Sequence, residues 1–492
     1  MKNIILITLV TVFWSCGGSP KTDEIKTQDR MKPNIVFIMA DDLGIGDVSC
    51  YGATMIKTPN IDKLASQGMQ FNRFYTAGAT CSPTRHSVLT GRYPFRWPEI
   101  ATAKWDGNLL IDPSRMTVGS LLQQAGYKTA AIGKWHLGYG AKGKPNFGNI
   151  LKPGPNELGF DYHWGIPRNH NDAMRGYMEN NKLFGLDPDT PYKKANNKKD
   201  TRVQGLLQER EDDKVNAVLT EKVLDFIKTN KEEPFFVYFT PTIAHTHITP
   251  DAPFRGTSEA GQYGDYVHEL DSYVGTIMAL LDELNLSENT ILIFTSDNGG
   301  QLNDHWSAGI GLNLADESGE VAEKSKSAKT DAREMGHKTN LDLREGKSSP
   351  YEGGFRVPLI VRWPGKIASK TTSAKLVSSA DFLATFSDLL GGKIPENNGE
   401  DSFSFSDALI GNKVSQSRSD VALHSKKARS FVDGNWKIVD FSYSSKKTDK
   451  SPELYNLLDD PSESNDLAIK EPERLNALKN KLDQITNQGY SK

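Results

Sequence analysis

Four apolar runs without polar alternation punctuate the chain, and each ends in polar or charged residues. Asn34–Ala40 (NIVFIMA) runs into Asp41 and Asp42. Ile291–Thr295 runs into Ser296, Asp297 and Asn298. Phe235–Phe239 is followed by Thr-Pro-Thr-Ile-Ala-His245-Thr-His247, and the shorter Thr129–Ile132 by Gly133, Lys134, Trp135 and His136. Unalternated runs of this length mark strands buried on both faces of a parallel sheet. Helical spacing fills the gaps: around Asp62–Ser66, over Val118–Ala125 and Val215–Ile227, and over Tyr266–Leu284, where Val267, Leu270, Val274, Ile277 and Leu281 share one face. Strand–helix alternation predicts a doubly wound α/β sheet, mainly parallel and flanked by helices. Ligands of such sheets gather at the carboxyl ends of the strands. Four polar strand ends therefore point to one shared site.

From about residue 370 the pattern changes. Ala380–Leu390 reads as a helix stopped by Gly391-Gly392. Arg429–Phe441 reads as a hairpin turning at Asp433-Gly434, and Glu453–Leu457 as a further strand. An amphipathic helix over Glu473–Ile485 closes the chain. The expected organisation is a catalytic domain over 33–370 and a smaller α+β subdomain with an antiparallel sheet over 371–492.

The N-terminus has a different pattern. Lys2 precedes an apolar stretch over Ile4–Trp14 that is too short to span a bilayer. Residues 1–15 are therefore expected to be a signal peptide. Cys16 follows at once, as in a bacterial lipobox, and would be lipidated; an ordinary signal cleavage nearby is the other reading. The polar stretch 16–32 suits a flexible tether. No later stretch reaches membrane length. The body is thus expected to be exported and soluble, periplasmic or held at the outer membrane by a lipid.

Composition narrows the class. The 492 residues carry a net charge of −3, which excludes a strongly basic nucleic-acid binder and a long acidic tail. Three cysteines exclude a disulfide scaffold. With Cys16 in the leader, Cys50 and Cys81 remain in an oxidising compartment, where they could pair.

The acidic strand ends offer the hard oxygen donors that Ca²⁺ or Mg²⁺ prefers, and carboxylates crowd together readily only around a cation. The alternative is structural, with Asp41 capping a helix and Asp297 holding a turn. Residues 79–92 (ATCSPTRHSVLTGR) read as a helix with Pro83 in its first turn and Gly91 at its end. Cys81 then sits at the helix N-terminus, with Arg85 one turn on along the same face. A cysteine so placed is either an activated nucleophile or an inert buried residue.

Cys81-x-Pro83-x-Arg85-x-x-x-Leu89-Thr90-Gly91 resembles the signature of type I, formylglycine-dependent sulfatases of the alkaline phosphatase superfamily. Asp41-Asp42-Leu-Gly, Gly133-Lys134-Trp-His136, Thr295-Ser-Asp297-Asn298-Gly and Gly346-Lys347-Ser-Ser-Pro-Tyr351-Glu-Gly-Gly-Phe agree with it. The resemblance covers about residues 33–485. It implies the alkaline-phosphatase-like large sheet with a small C-terminal subdomain. A maturation enzyme would oxidise Cys81 to formylglycine, whose hydrate is the nucleophile. Asp41, Asp42, Asp297, Asn298 and residue 81 would bind Ca²⁺. Arg85, Lys134 and His136 would surround the nucleophile, and His245 and Lys347 would contact the sulfate and assist the leaving oxygen. The family's usual Pro-His-x-Pro is Ala244-His245-Thr246-His247 here, so His247 is extra. The long polar stretch 300–345 is either a surface flap or a wall of the substrate pocket. Its end, His337-x-x-Asn340-x-x-x-Arg344-x-x-Lys347, resembles the family's approach to the sulfate-binding lysine.

The segment 159–180 resembles the corresponding loop of N-acetylgalactosamine-6-sulfatases and galactose-6-sulfatases. Asn171, Asp172 and Arg175 would hydrogen-bond sugar hydroxyls, unless the segment is only a structural loop. The resulting expectation is a sulfatase acting on a sulfated glycan, with a 6-O-sulfated galacto-configured sugar as its finer form. Two competing readings are a phosphodiester or phosphonate hydrolase of the same superfamily and a sulfated-glycan-binding lipoprotein without catalysis. Comparative turnover of aryl sulfates and phosphate diesters separates the first, and the modification state of Cys81 the second.

Overall fold

A computed structural model describes residues 32–97, 107–141, 143, 145–170, 172, 174–193, 203–302 and 332–492. The signal peptide, Cys16 and Asn171 lie outside the described residues. Pro33–Lys492 forms one compact unit.

The first strands in chain order are β1 (Asn34–Ala40), β2 (Met69–Phe71), β3 (Phe74–Tyr75), β4 (Lys128–Lys134), β5 (Tyr162–Ile166) and β6 (Met178–Glu179). They are followed by β7 (Lys182–Leu183), β8 (Phe235–Thr240), β9 (Thr290–Ser296), β10 (Leu359–Arg362), β11 (Thr371–Ser373) and β12 (Val377–Ser378). Ten of these form one sheet in the order β11-β2-β10-β9-β1-β8-β4-β5-β6-β7, while β3 and β12 pair separately. The centre, β9-β1-β8-β4-β5, is parallel. β10 is antiparallel to β9 and to β2 at one side, and β6 is antiparallel to β5 at the other.

The unbroken apolar runs have a direct cause: every residue of β1, β8 and β9 is buried. Alternate side chains of β1 enter two different cores, as period-two geometry requires. Ile35, Phe37 and Met39 join Phe236, Tyr238 and Ile293 on one face. Val36, Ile38 and Ala40 join Val237, Phe239 and Phe294 on the other. Helices α1 (Pro59–Ser66), α2 (Cys81–Thr90), α3 (Val118–Gln124), α4 (Val215–Thr229) and α5 (Gly261–Glu283) cover these faces. α1, α4 and α5 send Leu64, Val223 and Leu270 into the second core. α2, α3 and the helix Phe382–Leu389 send Leu89, Leu122 and Phe382 into the first. Phe382 packs edge-on against Phe37 at 4.7 Å. Truncating such a buried aromatic side chain costs about 3–5 kcal/mol.

The C-terminal region carries a second, antiparallel sheet of β13 (Asp420–His424), β14 (Arg429–Asp433), β15 (Trp436–Asp440) and β16 (Glu453–Asn456). Asp433 pairs with Trp436 across the expected turn. The closing helix Pro472–Gln488 buries Leu478 and Leu482 against Val421, Phe431 and Ile438 of this sheet. Cys50 and Cys81 are both free thiols, so the two do not pair. Sheet order has one direct consequence for chemistry. The four strands with polar ends, β9, β1, β8 and β4, are consecutive and parallel, so those ends lie side by side on one edge.

Candidate active site

Hydrogen bonding binds the strand ends together beyond the last strand residues. Asp297 N–H donates to Ala40 O at 3.1 Å, Asp41 N–H donates to Ile243 O at 2.8 Å, and Ala244 N–H donates back to Asp41 O at 2.6 Å. Gly133, at φ 121°, lets β4 lie against β8 here, because a Cβ on it would stand 2.1 Å from Thr240 O. Asp42 and His136 adopt φ of 61° and 55°, the left-handed region that non-glycine residues enter mainly at turns and functional sites.

α2 brings Cys81 to this edge. The helix begins at Cys81, contains Pro83 in its first turn and ends at Gly91, where φ is 64°. All ten of its residues are buried. Cys81 Sγ lies 3.4 Å from Asp41 Oδ1 and 3.9 Å from Asp42 Oδ1. Lys134 Nζ is 3.6 Å from the same sulfur and donates to Asp41 Oδ2 at 2.5 Å. Arg85 donates through Nε and Nη2 to Asp297 Oδ2 at 3.0 and 2.7 Å, and through Nη1 to Lys134 O at 2.8 Å. Asn298 Nδ2 donates to Asp42 Oδ1 at 2.9 Å. Lys347 Nζ reaches Asp42 Oδ2 at 2.7 Å. His245 Nε2 is 3.8 Å from Asp42 Oδ2, while its Nδ1 lies 2.5 Å from Thr246 O. A carbonyl only accepts, so Nδ1 carries the proton and Nε2 faces the cluster. His136 is held by its backbone, whose N–H donates to Pro167 O and whose O accepts from Ser82 Oγ; its Nδ1 is buried with no hydrogen-bond partner.

Burial and charge set the protonation states. Burial, then the negative charge of Asp297, pushes the Cys81 thiol up to about 12, so the unmodified side chain is a neutral thiol at pH 7. Burial would raise Asp41, but Lys134, His245 and Arg85 outweigh it and hold that carboxyl well below the usual range. Burial and then Asp41 raise Asp297 to about 6, against the pull of Arg85. Burial, followed by Lys134 and Arg168, drives His136 far below the ordinary histidine range, so its ring is neutral. Lys347 resists the effect of burial because Asp42, Cys81 and Asp41 favour its charged form.

The segment carrying Lys347 is clamped from both sides. On the large-sheet side Gly299 N–H donates to Gly354 O at 3.1 Å, and a Cβ on Gly299 would stand 1.7 Å from Gly353 O. Asn340 exchanges two hydrogen bonds with the Gly300 backbone, and His337 Nε2 meets Asp47 Oδ1 at 2.7 Å. On the small-sheet side Ser430 Oγ donates to Pro350 O at 2.6 Å, and Arg344 Nη1 donates to Tyr455 OH at 2.9 Å. Beneath lies a fully buried ionic cluster. Lys437 Nζ is 3.0 Å from Glu352 Oε1 and 2.8 Å from Glu463 Oε1, and Tyr75 OH donates to Glu352 Oε2 at 2.8 Å. Sequence reasoning missed this cluster. Of the polar stretch 300–345, residues 303–331 lie outside the described residues.

The sugar-facing expectations land elsewhere in the same neighbourhood. Arg175 is buried and pairs with Asp212 at 3.1 Å and Glu209 at 3.3 Å. Asp172 Oδ1 accepts from Arg210 Nη2 at 2.8 Å, and its Oδ2 is buried with no hydrogen-bond partner. Arg210 also holds His170 O and Gly176 O. The charged run Arg210–Asp213 was the signal that could have located this anchor.

The donor set fits a divalent cation. Asp41, Asp42, Cys81 and His245 each offer a ligand atom, all within 4.8 Å of one another. Asn298 adds Oδ1, buried and without a hydrogen-bond partner. Asp297 is turned toward Arg85 through Oδ2, while its Oδ1 accepts the Asp42 N–H at 3.1 Å. Carboxylate and amide oxygens suit Ca²⁺ or Mg²⁺.

The family model described as Sulfatase matches residues 33–392, and one described as N-sulphoglucosamine sulphohydrolase, C-terminal, matches residues 346–488. The chain is similar to an N-acetylgalactosamine-6-O-sulfatase of Bacteroides thetaiotaomicron, at 34% identity with 99% of each chain covered. It is similar to the human N-acetylgalactosamine-6-sulfatase at 31% identity, over 77% of this chain and 66% of the relative. A solved structure from work on glycosaminoglycan metabolism by Bacteroides thetaiotaomicron superposes with a TM-score of 0.82 at 34% identity, covering 93% of this chain and 99% of that one.

Proposed function

This chain belongs to the sulfatase family, the sulfuric ester hydrolases, and on that premise we propose that it removes 6-O-sulfate from N-acetylgalactosamine or galactose units of sulfated glycans. The observation that carries the site assignment is the convergence on Cys81 Sγ of two carboxylates and Lys134 at the first residue of α2. The names of the relatives support the sugar and the sulfate position.

Asp41, Asp42, Asp297, Asn298 and residue 81 would hold the cation, which we take to be Ca²⁺; when bound it supplies positive charge against the ester's oxygens. Conversion of Cys81 to formylglycine by a maturation enzyme supplies a hydrated aldehyde nucleophile, and its second hydroxyl spares sulfur from attack by water. The chain's own residues do the rest. Lys134 and Arg85 keep positive charge beside residue 81, where negative charge gathers during reaction. Lys347, charged at neutral pH, neutralises a sulfate oxygen. With Nδ1–H fixed on Thr246 O, His245 presents Nε2 to the leaving oxygen and gives it a proton when the ring is in its doubly protonated form. His136, neutral, has one buried ring nitrogen open to an ester oxygen. Asp172 Oδ2 is open to a sugar hydroxyl, Arg175 holds the loop, and Asn171 completes the set in sequence.

Export is part of the proposal. Residues 1–15 direct secretion and Cys16 carries a lipid, placing the enzyme in the periplasm or on the outer membrane. Among the described residues no helix is long and apolar enough to cross a membrane.

The test starts with the mass of the tryptic peptide holding Cys81, from protein made in its own host. A formylglycine mass together with sulfate release from 6-sulfated but not 4-sulfated N-acetylgalactosamine supports the reading. A fully alkylatable thiol in active protein overturns the nucleophile, and release from the 4-sulfated sugar alone overturns the position.

A further inference from the structure

The turn between β13 and β14 lies against the active site, and it is strongly basic. Gly78, three residues before Cys81, bridges to His424 at the end of β13. Ala79 N–H donates to His424 O at 2.9 Å, and Ser348 N–H donates to Ala79 O at 2.7 Å. The loops before Cys81 and after Lys347 are thus joined by backbone to the start of this turn. Lys426 and Lys427 follow within three residues, both exposed. Lys427 Nζ lies 3.8 Å from Glu345 Oε2, two residues before Lys347.

A second basic loop is bonded to the first. Ser445 donates through both N and Oγ to Lys426 O, at 3.0 and 2.9 Å. Exposed Lys446, Lys447 and Lys450 follow it. Asp449 in the same loop and Glu345 beside Lys427 oppose them, and Glu453 follows Lys450 at the start of β16. Five lysines so placed stand out in a chain of net charge −3. Two of the five have a partner within the chain: Lys427, 61% exposed, faces Glu345, and Lys450 Nζ lies 5.1 Å over the Phe441 ring. Through the Gly78–His424 bridge, the Cα atoms of Cys81 and Lys426 are no more than about 23 Å apart. That is within the span of a short oligosaccharide.

We infer that Lys426, Lys427, Lys446, Lys447 and Lys450 form a binding rim for the flanking anionic groups of a polyanionic glycan whose terminal sulfate occupies the Cys81 site. The inference rests on the sulfated-glycan reading and deepens it from a sugar to a chain. A monosulfated monosaccharide has its single charge in the reaction centre and offers nothing to the rim. A longer chain carrying sulfates or carboxylates on its next units does. Exposed charges of one sign raise the local concentration of an opposite polymer and lose that effect as salt rises.

The test compares the parent with a variant in which all five lysines become serine. The substrates are 6-sulfated N-acetylgalactosamine and a tetrasaccharide ending in the same sugar and carrying further sulfates and uronates. The tetrasaccharide should show the higher kcat/KM with the parent at low salt. The variant should lose about tenfold of that value, through KM, and most of its salt dependence, with the monosaccharide unchanged. Its melting temperature should not move, because the replaced side chains are exposed. Equal kcat/KM losses on both substrates, or none on either, overturn the rim. A second readout does not need turnover: binding of the tetrasaccharide to Cys81→Ala protein with and without the lysines. Lysine-dependent binding to the Cys81→Ala protein, with no sulfate released from the tetrasaccharide by the parent enzyme, would uphold the rim and sink the sulfatase substrate assignment. Lysine-independent binding with normal release would do the reverse. Retention by anionic phospholipid vesicles that depends on the lysines, with glycan binding unaffected, would also overturn it in favour of a membrane-facing surface.

Discussion

Two clusters of buried charge flank the segment that carries Lys347, and they are completed in different ways. At the strand ends Asp41, Asp42 and Asp297 meet Lys134, Arg85 and Lys347, yet a neutral thiol and an unpartnered amide oxygen on Asn298 are left within the same group. Beneath the segment Glu352 and Glu463 both face Lys437 within 3.0 Å, and Tyr75 adds a hydroxyl. The first cluster has donor atoms in excess of what the protein supplies to them; in the second the protein's own charges face one another. Buried charge alone therefore does not mark a site in this molecule. The difference lies in the facing charge: Glu463 Oε1 has Lys437 at 2.8 Å, whereas Asn298 Oδ1 has no hydrogen-bond partner beside three carboxylates. The second cluster has its own purpose, since it ties the small sheet to the segment that aims Lys347.

Substitutions on the two sides should separate function from scaffold. The largest effect belongs to Cys81→Ala, expected to cut sulfate release by about 10⁴-fold or more while the melting temperature stays near that of the parent. Activity surviving within tenfold would remove the strand-end cluster from the chemistry. Next is Lys437→Met, which strands two buried carboxylates and should destabilise the fold by about 3–5 kcal/mol in urea titration. A stable Lys437→Met protein with lost turnover would mean that this cluster too is functional, and the contrast would collapse. Lys347→Ala should lower kcat by about 10²–10³-fold with little change in unfolding midpoint. Steady-state kinetics beside a melt reads both.

The smallest effect concerns pH. Burial, opposed by Lys437, raises the Glu463 carboxyl from 4.5 to about 7. A raised acid binds its proton more tightly in the folded chain. It therefore adds stability that is complete below pH 4.5 and is lost as pH rises through about 7. Glu463→Gln should flatten the stability profile across that window, by on the order of 1–3 kcal/mol between its ends. An unchanged profile would show that the cluster stays fully ionised throughout.

Much of this was legible beforehand, and the reasons differ by element. The central strands announced themselves because both of their faces are buried, which leaves no polar position to break the run. Their polar ends, and the helix from Cys81 to Gly91, followed from local patterns alone. Their adjacency did not, because the order β9-β1-β8-β4 is set by pairings between distant residues. Lys437 was illegible for a different reason. In β15 it sits in a short strand, Trp-Lys-Ile-Val-Asp, where a lysine reads as facing solvent. Only the arrival of Glu352 and Glu463 from distant segments makes its burial tolerable. Arg175 misled in the opposite way: a guanidinium in a polar loop reads as a sugar contact, but the chain supplies Asp212 and Glu209 to meet it.

The place of β1 at the middle of the large sheet also imposes a timetable. Asn34, at its first residue, bonds to Thr290, 256 positions later. A ribosome delivers β1 early, but both of its neighbours arrive late, β8 and then β9. Until they do, the edge that buries Cys81 does not exist. The edge that seals the thiol in the finished protein is therefore incomplete until synthesis has run from residue 81 to residue 296, and pairings of such long range close slowly.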